Sequence, residues 1–264
     1  MNRPRSAAGF SLIEMLIVIG IAGILGGLLI PVVMAAHSKA HDVECASNLK
    51  GIGTALMLFV HQTGYLPASG PDPDTAPGAD DCTTWYRSIL PYAQNWRIFT
   101  CPSKHPSVLD VPEIQPKPGQ PSPAGMKLNE IHYGLNFQFP ATEADPAYGL
   151  DRDHDLMGAS VQIDIVAAPS RVILVADAAV FESVGSGNDI NPKTEQPASV
   201  ADGAMYFPDE DGKLPTGKPV IAPRHGGSAT CLFVDGHVQQ LNAREILSKK
   251  RDDPGCLYVG RLVE

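Results

Sequence analysis

The sequence predicts an α+β protein in which one long N-terminal helix packs on a C-terminal antiparallel sheet with long loops. Three observations predict it. Residues 10–36 form an apolar run, residues 37–62 continue it as a proline-free amphipathic stretch, and short β-branched segments with a hairpin signal stand near the C-terminus.

The apolar run FSLIEMLIVIGIAGILGGLLIPVVMAA holds one charged residue, Glu14. As a helix it would extend about 40 Å, more than the ~30 Å of a bilayer's hydrocarbon core, so a transmembrane segment is the direct reading. A secretory signal peptide has a shorter apolar stretch followed by a small-residue cleavage site. A plain membrane anchor explains the length but not Glu14, because a carboxylate in the membrane costs about 2.5–3.5 kcal/mol and usually has a function. Arg3 and Arg5 precede the run without any acid. Gly20, Gly23, Gly26 and Gly27 suit close helix–helix approach in lipid. Pro31 removes a helix hydrogen bond and should permit a kink or local melting.

In the continuation, Leu49, Ile52, Leu56 and Phe59 share one helical face opposite Lys39, Asp42 and Lys50, and Gly64 is the stop signal for a helix ending near His61. His37 and His41, at i and i+4, lack an evident third ligand and read as a solvated face. Residues 64–264 form the body. Pro67–Ala79 reads as a loop, Trp85, Ile89 and Leu90 as a short helix, and the proline-rich Pro102–Pro123 as a loop or extended arm. Ile131–Asn136 and Arg171–Asp177 read as strands, the second buried, and Ser183–Thr216 as a further loop. Asp235-Gly236, between segments 229–234 and 237–241, is a type I′ hairpin signal, and Arg244–Arg251 is a short basic surface helix.

A net charge of −9 argues against a nucleic-acid partner, which needs a basic face. The five cysteines have no C-x-x-C spacing. Cys82 and Cys101 bracket the tryptophan-bearing segment and are the candidate disulfide if the body lies outside the cytoplasm. Asp151, Asp153 and Asp155 alternate as calcium ligands can, but no glycine stands at the sixth position of an EF-hand loop and no glutamate at the twelfth. A solvated acidic loop is the preferred reading, so no cofactor is expected and calcium is the alternative. His225, Asp235 and Asp177 raise a catalytic or metal site. Ser228, the nearby serine, lacks a nucleophile-elbow context, which favours a structural role and no enzyme. In that role Asp235 and Gly236 shape the turn, and His225 hydrogen-bonds a neighbouring strand or loop.

Gly9-Phe10-Ser11-Leu12-Ile13-Glu14, with the basic leader before it and the apolar run after it, resembles the processing site of type IV prepilins and type II secretion pseudopilins. The resemblance implies a leader over residues 1–9, cut between Gly9 and Phe10 by a prepilin peptidase, and an N-methylated Phe10. It implies a transmembrane segment over 10–36, an extended helix over 37–63 and a body over 64–264, in the lollipop shape of the family. It also implies Glu14 as the assembly residue, paired with a neighbouring subunit's terminal amine. The chain would then be a structural subunit of a pilus or pseudopilus, anchored in the bacterial inner membrane lipid with its body extracytoplasmic. Its partners would be other pilin-like subunits. The alternative is a tethered binding module that uses the helix for delivery alone. Cys45-Ala-Ser-Asn-Leu-Lys-Gly-Ile-Gly, Phe99-Thr-Cys-Pro-Ser and His225 standing ten positions before Asp235-Gly236 resemble the prepilin-like subgroup that ends in an H-X9-DG motif.

Overall fold

The computed structural model describes residues 12–67, 85–93, 95–103, 131–136, 163, 166, 168–181, 204–208, 213–214, 217, 219–249 and 256–257. Gly9, Phe10, Cys82, Asp151, Asp153 and Asp155 lie outside them, so the expected cleavage site, the acidic alternation and one end of the expected disulfide do too.

Helix α1 runs Leu12–Thr63 and is unbroken at Pro31. It ends where Gly64 takes φ 85° and donates its N–H to the Val60 carbonyl at 2.7 Å, the left-handed cap that a glycine adopts without steric penalty. The chain divides into two compact units, Met1–Ala40 and His41–Glu264. In the first, the large apolar side chains from Leu12 to Met34 are exposed. In the second, Cys45, Leu49, Ile52 and Leu56 form a fully buried stripe, with Phe59 packed at its edge. Their helical spacing places all four on the sheet side of α1, and each buried aliphatic side chain contributes about 1.5–3 kcal/mol.

The body adds α2 (Trp85–Ile89), β1 (Tyr133–Asn136), β2 (Ile173–Val180), β3 (Ala204–Met205), β4 (Pro219–Ile221), β5 (Ser228–Phe233), β6 (Val238–Asn242) and α3 (Ala243–Leu247). The sheet order is β3-β1-β2-β5-β6, with β4 pairing the far end of β2. Every pairing is antiparallel except β1 with β3, which is parallel. That pairing also corrects the expected loop over 183–216, which contains β3.

One face of the sheet, with Tyr133, Leu135, Val175 and Leu232, packs against the α1 stripe and the Trp85–Tyr86–Phe99 aromatic group. The other face, with Ala176, Ala178, Cys231 and Phe233, packs against Ala243, Ile246 and Leu247 of α3. The segment expected as a basic surface helix is therefore half buried. Asn242 caps it by accepting the N–H groups of Arg244 and Glu245.

Two turns differ from expectation in an informative way. At the β5–β6 connection no non-glycine residue has positive φ, Gly236 has φ 86°, and Gly236 N–H bonds the Phe233 carbonyl. This is the three-residue hairpin with glycine in the left-handed region, not the type I′ turn expected at Asp235-Gly236. Positive φ at both central residues, the type I′ requirement, occurs instead at Gly226 and Gly227, between His225 and Ser228, whose backbones exchange hydrogen bonds at 3.0 and 3.2 Å.

Candidate functional site: a buried thiol–imidazole–carboxylate cluster

Four buried groups from four parts of the chain meet on the helix-facing side of the sheet: Cys45, Cys101, Asp177 and His225. Their sulfur, nitrogen and oxygen atoms all lie within 4.8 Å of one another.

Local structure fixes each of them. Cys45 stands one turn before Leu49 on the buried stripe of α1. Asp177 follows Val175 on the same face of β2 and lies in register with Tyr133 of β1. Cys101 is held by its N–H, which donates to His132 Nδ1 at 2.9 Å, while Asn48 on α1 donates to the Thr100 carbonyl at 3.1 Å. His225 is set by the Gly226–Gly227 turn, a sharp reversal that opens β5.

His225 Nε2 lies 3.2 Å from Asp177 Oδ2 and 3.6 Å from Cys101 Sγ. Its Nδ1 lies 2.8 Å from Asp42 Oδ1 and 3.2 Å from Ser103 Oγ. Cys45 Sγ is 3.7 and 3.8 Å from the two oxygens of Asp177 and accepts from the Tyr133 hydroxyl at 3.2 Å. Asp177 accepts the Thr230 N–H at 2.8 Å and faces Arg224 Nη1 at 3.4 Å. Arg224 in turn donates to the Ala178 carbonyl at 2.7 Å and to the His132 carbonyl.

The electrostatics follow from this packing. Burial pushes the Asp177 carboxyl up, but the His225 hydrogen bond and the Arg224 charge more than offset it, and the group is held below the usual carboxylate range. Burial pulls the His225 imidazole down, yet the hydrogen bonds and charges of Asp177 and Cys101 raise it to about 10. The two thiols share a hydrogen bond. It draws Cys101 down to about 6 against burial, and it drives Cys45 far up together with burial. One sulfur takes the charge while the other keeps its proton.

The structure thus brings His225 and Asp177 together and separates Asp235 from them. Asp235 sits at the β5–β6 turn, accepting the His237 N–H at 3.1 Å. Cys101 is a free thiol facing Cys45 and His225, and Cys82, its expected disulfide partner, lies outside the described residues. Sequence reading overlooked Asp42, Cys45 and Arg224 as members of the site. Cys45 carried a usable signal, since it precedes Leu49 by one helical turn and so must face the core. The same holds for Asp177, a carboxylate inside an otherwise apolar strand.

At the other end of the chain, Glu14 lies in the first turn of α1. Among the described residues α1 is the one helix long and apolar enough to cross a membrane. Residues 4–30 match the family model of the prokaryotic N-terminal methylation motif. The match covers the N-terminal segment alone, and in that segment the chain resembles type IV prepilins. No curated protein and no solved structure matches the chain. Proteins carrying the motif are typically structural, and the motif implies peptidase processing and assembly with pilin-like subunits. With the apolar helix it indicates membrane anchoring.

Proposed function

We propose that this chain is a structural subunit of a type IV pilus or type II secretion pseudopilus. Prepilin peptidase cuts between Gly9 and Phe10 and the new terminus is N-methylated. The apolar half of α1 first anchors the chain in the inner membrane, with the body outside the cytoplasm, and then packs among the equivalent helices of neighbouring subunits. The observation that carries this reading is the methylation motif at residues 4–30, running directly into a helix whose large apolar side chains are exposed through Met34. Lipid or neighbouring helices must cover such a surface.

Glu14 gives the helix its assembly chemistry. A carboxylate in a helix's first turn interacts favourably with the positive end of the helix dipole. In a filament, the amine of a neighbouring Phe10 supplies a full counter-charge. Because a buried carboxylate is stable only beside that amine, the pair sets the axial register of one subunit against the next.

The H-X9-DG element belongs to the body's architecture in this reading. His225 ties the β5 entrance to α1 through Asp42, and Asp235-Gly236 forms the outer turn of the β5–β6 hairpin.

Mass spectrometry of the protein recovered from membranes tests the proposal. A mature terminus at N-methylated Phe10 is the expected result, and an intact residue 1–9 segment or a cut elsewhere would refute it.

A further inference from the structure

We propose that Cys45, Cys101, Asp177 and His225 form a structural zinc site that ties the long helix to the sheet. The inference rests on the geometry of the body and is independent of the filament reading, which rests on residues 4–30.

A tetrahedral zinc ion bound through sulfur at about 2.3 Å and through nitrogen or oxygen at about 2.0–2.1 Å fixes the distances between its ligand atoms. The expected edges are about 3.5 Å for sulfur to nitrogen or oxygen and about 3.3 Å for nitrogen to oxygen. Here Cys101 Sγ to His225 Nε2 is 3.6 Å, Cys45 Sγ to Asp177 Oδ2 is 3.8 Å, and His225 Nε2 to the same Asp177 Oδ2 is 3.2 Å. These three edges match a zinc-sized tetrahedron, and all four ligand atoms lie within 4.8 Å of one another. Two sulfurs, one imidazole and one carboxylate are a donor set suited to zinc and unsuited to calcium or magnesium, which take oxygen.

The surrounding contacts are those a bound cation requires. His225 Nδ1 stands 2.8 Å from Asp42 Oδ1, so a proton held there leaves Nε2 as the free lone pair toward the cluster. This carboxylate–histidine arrangement is the usual outer support of a zinc-bound histidine. The Tyr133 hydroxyl already donates to Cys45 Sγ, and the Thr230 hydroxyl is buried without a hydrogen-bond partner. Thr230 N–H and Arg224 steady the Asp177 carboxylate. Two thiolates and one carboxylate carry three negative charges, which a dication and the Arg224 guanidinium balance. The competing arrangement, an imidazolium between two carboxylates beside a Cys45–Cys101 disulfide, uses the same residues and becomes an outcome of the test.

The test uses the full chain, extracted from membranes in mild detergent without chelator. Metal content is measured by mass spectrometry, and thiol state by non-reducing peptide mapping. About one zinc per chain is expected, with Cys45 and Cys101 unoxidised. Replacing zinc with Co2+ should produce thiolate-to-cobalt charge transfer and the visible bands of a tetrahedral ion. Cys101→Ser should lower zinc to below about a tenth of the wild-type content, whereas Cys231→Ala, a buried thiol outside the cluster, should leave it unchanged. Asp42→Asn should weaken zinc binding about 10–100-fold while preserving the shape of the cobalt spectrum. His225→Cys, which restores a ligand, should keep the metal and strengthen the charge-transfer band, so the site stays testable if Cys101→Ser fails to fold. Three results would each overturn the site: no zinc after incubation of the thiol-reduced chain with Zn2+, a Cys45–Cys101 disulfide in the membrane-derived protein, or zinc retained at full content by Cys101→Ser.

Discussion

Asp177 is a full carboxylate in the middle of a strand whose other residues are apolar, and its neighbours explain how it is tolerated. It accepts a backbone N–H and faces both Arg224 and His225. Asp177→Asn keeps the volume but leaves the Arg224 guanidinium and the His225 imidazole facing a neutral amide. The expected loss is about 3–5 kcal/mol, read as a lower midpoint in denaturant unfolding of the full chain in detergent. Asp235→Asn is the contrasting substitution. Asp235 is a third exposed and paired with a half-exposed His237, so its removal should cost less than about 1 kcal/mol. A second residue-scale constraint is Gly134 on β1. A Cβ there would meet Met205 Cβ at 2.6 Å and Ala178 Cβ at 2.9 Å, so the parallel β1–β3 pairing depends on its absence. Gly134→Ala should cost about 1–3 kcal/mol by overpacking, measured in the same unfolding assay. Neither constraint was fully legible in the sequence. A carboxylate within an apolar strand announces a partner, but the partners come from distant segments. Cys45 and Asp177, for example, are separated by 132 positions. Local pattern does not encode contacts of that separation.

The elements themselves were more legible, because periodicity and cap chemistry act locally. The α1 stripe followed from Leu49, Ile52 and Leu56, its end from Gly64, and the central strand from the apolar run before Asp177. The turns were less so. Asp-Gly in a hairpin is compatible with more than one turn, and what decides is whether the residue before the glycine must take positive φ. Asp235 does not, whereas Gly226 and Gly227 both do. A substitution series separates the two turns. Gly227→Ala forces a Cβ into the left-handed region at φ 94° and should cost about 1–2 kcal/mol. It should also displace His225, which the turn positions. Gly236→Ala should cost a similar amount but leave His225 in place. The histidine's imidazole NMR signals should therefore shift in the first variant and not in the second. Gly53 marks a close approach of helix to sheet, where an added Cβ would sit 3.1 Å from Leu232 Cδ1. That contact explains why the stripe is interrupted by a small residue at that turn.

At the scale of the whole molecule, the hydrophobic core among the described residues begins at Cys45, while the apolar side chains before it are solvent-facing. The body therefore owes its stability to contacts within His41–Glu264, and the N-terminal segment is shaped by what covers it. This division predicts how the two respond to mutation. Glu14→Ala removes the only charge between Phe10 and Ala36, which makes the segment more apolar and favours membrane insertion. The body's thermal midpoint should not move, because Glu14 takes no part in its core. Assembly should suffer, because the amine of the neighbouring Phe10 would be buried without a counter-charge, a loss of several kcal/mol per contact. The expected outcome is wild-type protein in the membrane fraction, an unchanged unfolding curve, and recovery of sheared filaments reduced by more than about tenfold. Filaments at wild-type yield from Glu14→Ala cells would show that the carboxylate does not set subunit register. Loss of the protein from membranes would show that Glu14 acts in insertion rather than in packing.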